Sequence, residues 1–537
     1  MGYLMLYKYS RPKERGLVFH TRALRSHAMA LSCARALSLA GSARRIPSGS
    51  PTAPGAAGQT PACVVPRLRR RHISTAAASS TYTPTHRVSE LQSEGAYAVL
   101  AAANALEATG RDIVHLEIGQ PGFPSPPHVV DAGVAAIKGG QTKCVVERSP
   151  RPLFPSSSHP SIRAHAGTVD RVGRTLFDTF PMPAPLTCRS PSSTYVVYVR
   201  RLPSTRRYSA PDGTPGLRDA IARYVTRTRG VDVAPDEVVV GPGAKPGLFF
   251  PALALLNPGD EVVYPDPGFP TYKAMIQVAG GVGVPVPLRP DGASFDMDAM
   301  RAAVTEKTKL IVLNSPANPT GGVMPAEDVE TIAQLAMEND AWVLTDEIYS
   351  RLVYPEGGGE APSVFALPGM KERTILVDGF SKTYCMTGWR LGWAVMPVPL
   401  ARKVELLIVH SVGCTATFTQ AAGVAALEGP QDSVDAMREE YQQRRDFVVG
   451  ALNDIPGVTC PVPAGAFYAF PDVSAFGMSS KEVADLLLEE GGVAVLPGTD
   501  FGANGEGKIR LSYVGDMTVL EEGMKRISET LGKLKVV

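Results

Sequence analysis

Across residues 207–400 the chain alternates short, continuously apolar runs with longer stretches whose apolar positions recur at helical spacing. Residues 237–240 in VDVAPDEVVV, then EVVY, KLIVLN, AWVLTD and TILVDG, are runs of the first kind. Strands that are apolar on both faces and separated by helices predict a mostly parallel sheet covered on both sides. Polar residues follow the carboxyl ends of four such strands, where open α/β sheets bind ligands. Upstream, EGAYAVLAAANALEATG predicts a helix stopped at Gly110, followed by the apolar alternation of DIVHLEIG and the Pro/Gly loop QPGFPSPP. From about residue 401 a long helical pattern leads into a smaller α+β unit. That unit holds GVTCPVPAGAFYAFPDV, a helix near residues 480–490, VAVLPGTDFG and KIRLSYVGD, and a closing helix rich in Glu and Lys.

Composition modifies this picture in two places. Residues 1–88 are rich in arginine, serine and alanine, and Glu14 is the single acid. This is the make-up of an organellar transit peptide, with a mitochondrial destination favoured over a plastid one and a cytoplasmic one if the segment is a gene-model artefact. A basic arm for nucleic acid is the rival, but no folded module accompanies it. Residues 143–206 are rich in Pro, Ser and Arg without a period of 2 or 3.6, and read as a disordered insertion or as retained non-coding sequence, with an organism-specific interaction loop as the alternative. The remaining divisions are residues 89–125, joining the small domain to the site's rim, residues 126–142 and 207–400 as a large domain, and 401–537 as a small one.

The 537 residues and 44% hydrophobic content suffice for more than one domain, whereas a net charge of +2 points to no class of partner. The seven cysteines have no metal-ligand spacing. Cys385, Cys414 and Cys460 are expected to be reduced thiols. No apolar run approaches the roughly 18 residues of a membrane span.

The stretch DGFSKTYCMTGWRLGW, from Asp378 to Trp393, carries the candidate chemistry. A lone lysine is ordinarily a solvated surface group. Lys382, however, stands among Phe380, Tyr384 and Met386, a setting that would desolvate its amine, lower its pKa and free it for attack on a carbonyl. The stretch resembles the cofactor-lysine segment of the class I pyridoxal-phosphate-dependent aminotransferases, the aspartate aminotransferase family. The likeness spans residues 93–142 and 207–534. It implies fold type I, an α/β large domain with a mostly parallel seven-stranded sheet between helices plus a smaller α+β domain.

The same resemblance assigns roles. Lys382 would hold the aldehyde of pyridoxal 5'-phosphate and later move a proton. Asp346 in TDEIY would stand beside the pyridine nitrogen, and Tyr349 and Asn318 would donate to the phenolic oxygen. Phe269 in DPGFPTY would stack on the ring. Ala244 and Lys245 in GPGAK, with Ser381 and Arg390, would hold the phosphate. Tyr208 would come from a neighbouring subunit, which implies a homodimer. Arg510 in KIRLSYVGD and the backbone of Gly119 would bind the substrate's α-carboxylate, with Asn318 and Phe269 also at the substrate. Taken singly, each has a plainer reading: a strand-end cap for Asp346, an ordinary turn at NPTG, core packing for Phe269, a tight turn at Gly119, a common ion pair for Arg510. Gly379 and Pro246 depart from residues common in the family.

The expected activity is transfer of an amino group between an L-amino acid and a 2-oxo acid, with ping-pong kinetics. Lys245 stands where some members that take dicarboxylic substrates also carry lysine, which favours aspartate or glutamate as donor. A C–S lyase or aminocyclopropane-carboxylate synthase-like activity and a non-catalytic derivative of the fold are the alternatives.

Overall fold

The structure, a computed structural model, describes residues 85–89, 91, 93–142 and 210–537. The leader, the insertion at 143–206, Tyr208, and Cys33, Cys63, Cys144 and Cys188 lie outside the described residues. The first strand, β1 (Val114–His115), is only two residues long, although DIVHLEIG alternates throughout. The major sheet follows with β2 (Val238–Gly241), β3 (Glu261–Asp266), β4 (Val282–Pro287), β5 (Thr308–Asn314), β6 (Trp342–Asp346), β7 (Thr374–Gly379) and β8 (Gly392–Val395). Their order across the sheet is β2-β8-β7-β6-β5-β3-β4. Only β8 runs against its neighbours.

The central strands are buried on both faces, and their side chains divide with a period of two. Leu310, Val312 and Leu344 pack on one side with the helices Lys245–Leu255, Thr271–Ala279 and Val398–Val409. Ile311, Leu313 and Val343 pack on the other with the helix Ala326–Glu338. At the edge, β4 reads VGVPVP and is largely exposed, which suits a strand carrying prolines. The sequence pattern did not single out β4 or β8 as strands.

A second core lies beside the sheet. It is built from β9 (Tyr468–Ala469), β10 (Val493–Ala494), β11 (Leu496–Pro497) and β12 (Ile509–Ser512) with the helices Asp432–Asn453, Ser480–Glu489 and Met517–Leu531. Strand β12 pairs antiparallel with β11 and β9, while β1 pairs parallel with β10. Ser479 and Glu482 close a capping box at the start of one of these helices, each side chain meeting the other's backbone N–H. The boundary expected at residue 401 falls inside the helix Val398–Val409, whose Leu400, Ala401 and Val404 belong to the sheet's core. The helix Thr417–Glu428 likewise buries Ala422 and Ala426 against the helix Pro215–Arg229. Beyond residue 401, the first residue to join the smaller unit's apolar core is Met437 on the helix Asp432–Asn453; Val114 and Leu116 join the same core from upstream.

Candidate active site

A cleft of about 790 Å³ opens where parallel strands of the large sheet end and the smaller unit leans over them. Its lining includes Gly119, Ala244, Lys245, Phe269, Asn318, Asp346, Tyr349, Ser381, Lys382, Arg390 and Arg510. These are all of the residues singled out from the sequence except Tyr208. All but Gly119 and Arg510 come together because β2, β3, β5, β6 and β7 point the same way, so the segment after each carboxyl end reaches one rim; Gly119 arrives from the segment after β1 and Arg510 from β12.

Lys382 follows β7, and its Nζ donates to the carbonyl oxygen of Gly119 at 2.5 Å. The amine also stands 5.5 Å from the ring centre of Phe467 and 5.9 Å from that of Tyr349. Burial pushes its pKa down to about 8, Arg510 and Arg390 push the same way, and Asp346 opposes them. Enclosure in the cleft beside two rings and two guanidinium groups thus makes a neutral amine accessible near physiological pH.

Asp346 ends β6 and is buried. Its Oδ2 accepts from the hydroxyl of Tyr272 at 2.9 Å, and its Oδ1 from the N–H of Ile348 at 3.3 Å. The strand-end cap read from the sequence is therefore present, on the same carboxylate that faces the cleft. Burial raises its pKa to about 6, against the lowering effect of the Tyr272 bond, so it is mostly ionised at neutral pH. Asn314, at the end of β5, ties the two strand ends by donating Nδ2 to the carbonyl of Asp346 at 2.9 Å and accepting from the N–H of Asn318 at 2.8 Å.

Arg510 projects from β12 of the smaller unit. It donates Nη1 to Asn318 Oδ1 at 3.1 Å and Nη2 to the carbonyl of Glu117, and it lies 4.5 Å from the ring centre of Tyr468 and 5.0 Å from that of Phe501. Its Nε is buried with no hydrogen-bond partner. Burial lowers its pKa. Tyr349 and Tyr468 share a hydroxyl–hydroxyl bond of 2.8 Å across the junction of the two units.

The turn between β2 and the helix Lys245–Leu255 brings Gly243, Ala244 and Lys245 to the other end of the cleft. Arg390 lies alongside, with Nη1 donating to the carbonyl of Thr387 at 2.9 Å. Gly243 has φ +90°, and a Cβ there would come within 2.6 Å of Arg390 Nη2, so only glycine leaves the guanidinium its place. Across the mouth, Lys245 Nζ bonds Glu94 Oε1 and stands 5.4 Å from the ring centre of Phe269.

Tyr272, Tyr468, Asn314 and Glu94 were not singled out from the sequence. Each acts through a polar contact to a residue distant in the chain, so local pattern carries little trace of it. Tyr272 is the exception in part, since it closes the DPGFPTY motif that pointed to Phe269.

A family model of aminotransferase class I and II matches residues 199–527. The chain belongs to this family. It is 42% identical over 328 residues to a putative aminotransferase, YugH, of Bacillus subtilis, covering 61% of this chain and 84% of that one. It is 34% identical over 448 residues to an aspartate aminotransferase of Musicola paradisiaca, covering 83% and 96%. Among solved structures, Thermus thermophilus aspartate aminotransferase with maleate superposes with a TM-score of 0.68 at 32% identity, covering 84% of this chain and all of that one. The protein is thus a transaminase of fold type I, acting on an amino acid and an oxo acid. These likenesses do not favour the lyase reading or a non-catalytic derivative. Among the described residues no helix is long and apolar enough to cross a membrane.

Proposed function

We propose that this aminotransferase binds pyridoxal 5'-phosphate on Lys382 and moves an amino group between an L-amino acid and a 2-oxo acid by a ping-pong mechanism, with aspartate- or glutamate-type donors preferred. Four charged groups arranged in one cleft carry the proposal: a half-buried amine, a buried carboxylate, a guanidinium beside a helix start, and a second guanidinium with a buried, unpartnered Nε. An aromatic aldehyde carrying a ring nitrogen and a phosphate needs such a set. The turn at Gly243–Lys245 offers backbone N–H groups at the positive end of a helix, where anions are favoured. The residues present therefore fit the group.

When bound, the cofactor supplies an electron sink for negative charge at the amino acid's α-carbon. Lys382 Nζ would hold the aldehyde and then carry the proton on and off the α-carbon, a task suited to an amine with a pKa near 8. Asp346, anionic at neutral pH and fixed by Tyr272 and Ile348, would keep the ring nitrogen protonated. Tyr349 and Asn318 would donate to the phenolic oxygen, and Phe269 would cover the ring. Ser381, Arg390 and the Ala244–Lys245 backbone would take the phosphate. Arg510 would grip the α-carboxylate, a planar fork matched to a planar anion, with Gly119 alongside.

Lys245, at the mouth of the cleft, would meet the distal carboxylate of an acidic donor. The Thermus thermophilus relative solved with maleate, a dicarboxylate, supports an acidic donor. A homodimer, to which Tyr208 would contribute by the family resemblance, is supported by the apolar stripe of Val130, Val134 and Ile137 on the helix Pro127–Lys138, 38%, 41% and 47% exposed. The arginine- and serine-rich leader supports import into an organelle.

The test is spectroscopic and kinetic. Protein supplied with the vitamin B6 aldehyde gains visible absorption, borohydride bleaches it, and the reduced label maps to Lys382. With aspartate and 2-oxoglutarate, double-reciprocal plots run parallel. A colourless protein refutes the cofactor assignment, and intersecting plots refute the ping-pong scheme.

A further inference from the structure

Lys245 is not waiting for a substrate with its charge unmet. It opens the helix Lys245–Leu255, where the backbone's positive end already disfavours a cation, and Arg390 stands at the same end of the cleft. The opposing charge comes from Glu94, at the N-cap of the helix Gly95–Glu107. Glu94 makes no side-chain cap to its own helix. Its Oε1 instead binds Lys245 Nζ and accepts from Thr271 Oγ1 at 3.3 Å. The pair is partly solvated, with side chains 46% and 27% exposed, and both residues line the cleft. Phe269 lies under the lysine.

We propose that Glu94 is a specificity-determining residue: it is the built-in counter-ion of Lys245, and the distal carboxylate of an acidic substrate binds by displacing it. The inference rests on the reading of Lys245 as the distal-carboxylate contact. When the donor's side chain is neutral, the Glu94–Lys245 pair stays closed and presents the lysine's alkyl stem and the nearby Tyr97 and Leu100, so such donors are also admitted. When the side chain is acidic, two carboxylates compete for one ammonium, and the loser turns to water at the open mouth. Glu94 therefore lowers the preference for dicarboxylates without touching the α-carboxylate contact at Arg510.

The experiment uses the full chain with its cofactor. It compares wild type, Glu94→Gln, Glu94→Ala, Lys245→Ala and the double variant Glu94→Gln/Lys245→Ala. Maleate affinity is measured by calorimetry, and the ratio of kcat/KM for aspartate over alanine by steady-state assay. Both Glu94 variants should bind maleate more tightly and raise the aspartate-to-alanine ratio, each by about threefold to fivefold for a partly solvated pair. Neither change should survive in the Lys245→Ala background. If Lys245→Ala penalises aspartate more than alanine but the Glu94 variants leave maleate affinity and the ratio unmoved, the counter-ion role is wrong while the lysine's stands. If Lys245→Ala penalises both donors equally, the lysine reading falls and the inference with it.

Discussion

Capture of the cofactor aldehyde by Lys382 should titrate far below the range of an ordinary lysine. The amine's pKa falls from 10.5 to about 8, chiefly through burial. At pH 7 about one amine in ten is then unprotonated, against about one in three thousand for an unperturbed lysine. The difference is roughly 300-fold in nucleophile, or about 3 kcal/mol. Cofactor-free enzyme mixed with the aldehyde in a stopped-flow absorbance assay should show a rate rising about tenfold per pH unit up to about pH 8 and level above it. Arg510→Met removes the largest charge effect on the amine and should move the midpoint upward. Asp346→Asn removes an anion that favours the protonated form and should move it downward. A rate that keeps climbing to pH 10 would refute the claim that burial sets the amine's charge. Identical midpoints in all three proteins would refute the charge assignments.

Other outcomes follow from the same geometry. A Cβ on Gly119 would lie 2.0 Å from the Tyr468 hydroxyl oxygen, so Gly119→Ala should push that ring off Tyr349. It should cut kcat/KM by about a hundredfold with little loss of thermal stability, as misplacement by an ångström does; unchanged turnover, read beside a melting curve, would count against it. Asp378 is buried at the end of β7, and burial raises its pKa to about 7 although Arg229 opposes this. Its folded-state pKa therefore exceeds the unfolded one, so the stability it contributes is complete at acid pH and lost as pH rises through 7. Urea unfolding should show wild type losing about 2 to 3 kcal/mol relative to Asp378→Asn between pH 5 and pH 8, and a flat difference would contradict the burial argument. Removal of the apolar stripe by Val134→Glu with Ile137→Glu should yield monomers by light scattering. A dimer that persists would place the interface elsewhere.

How much was legible in advance depended on where the information sits in the chain. Strands β5, β6 and β7 stand out because a strand buried on both faces must be apolar throughout, and KLIVLN, WVLTD and TILVDG are nearly so. Strand β4 hid behind its prolines and its exposure, and the four residues of β8 were absorbed into the motif containing Lys382. The helices Val398–Val409 and Thr417–Glu428 looked like the opening of the smaller unit because amphipathic periodicity does not say which core a face will meet. In the site, residues embedded in motifs were readable as candidates. Tyr272 reaches Asp346 across 74 positions and Tyr468 reaches Tyr349 across 119, and no local pattern encodes such a meeting. Glu94 resembles any surface acid in the sequence, and only the fold sets it beside Lys245.

The division of the cleft between two bodies has an evolutionary consequence. The amine, Asp346 and the helix start at Lys245 all belong to the great sheet, while Arg510 and Tyr468 arrive from the smaller unit and Glu94 and Gly119 from the segment at the rim. Change confined to the rim segment, where Glu94 faces Lys245, can therefore retune which side chain is accepted while the amine and Asp346 are inherited intact. A lineage can try new donor side chains without reinventing its chemistry.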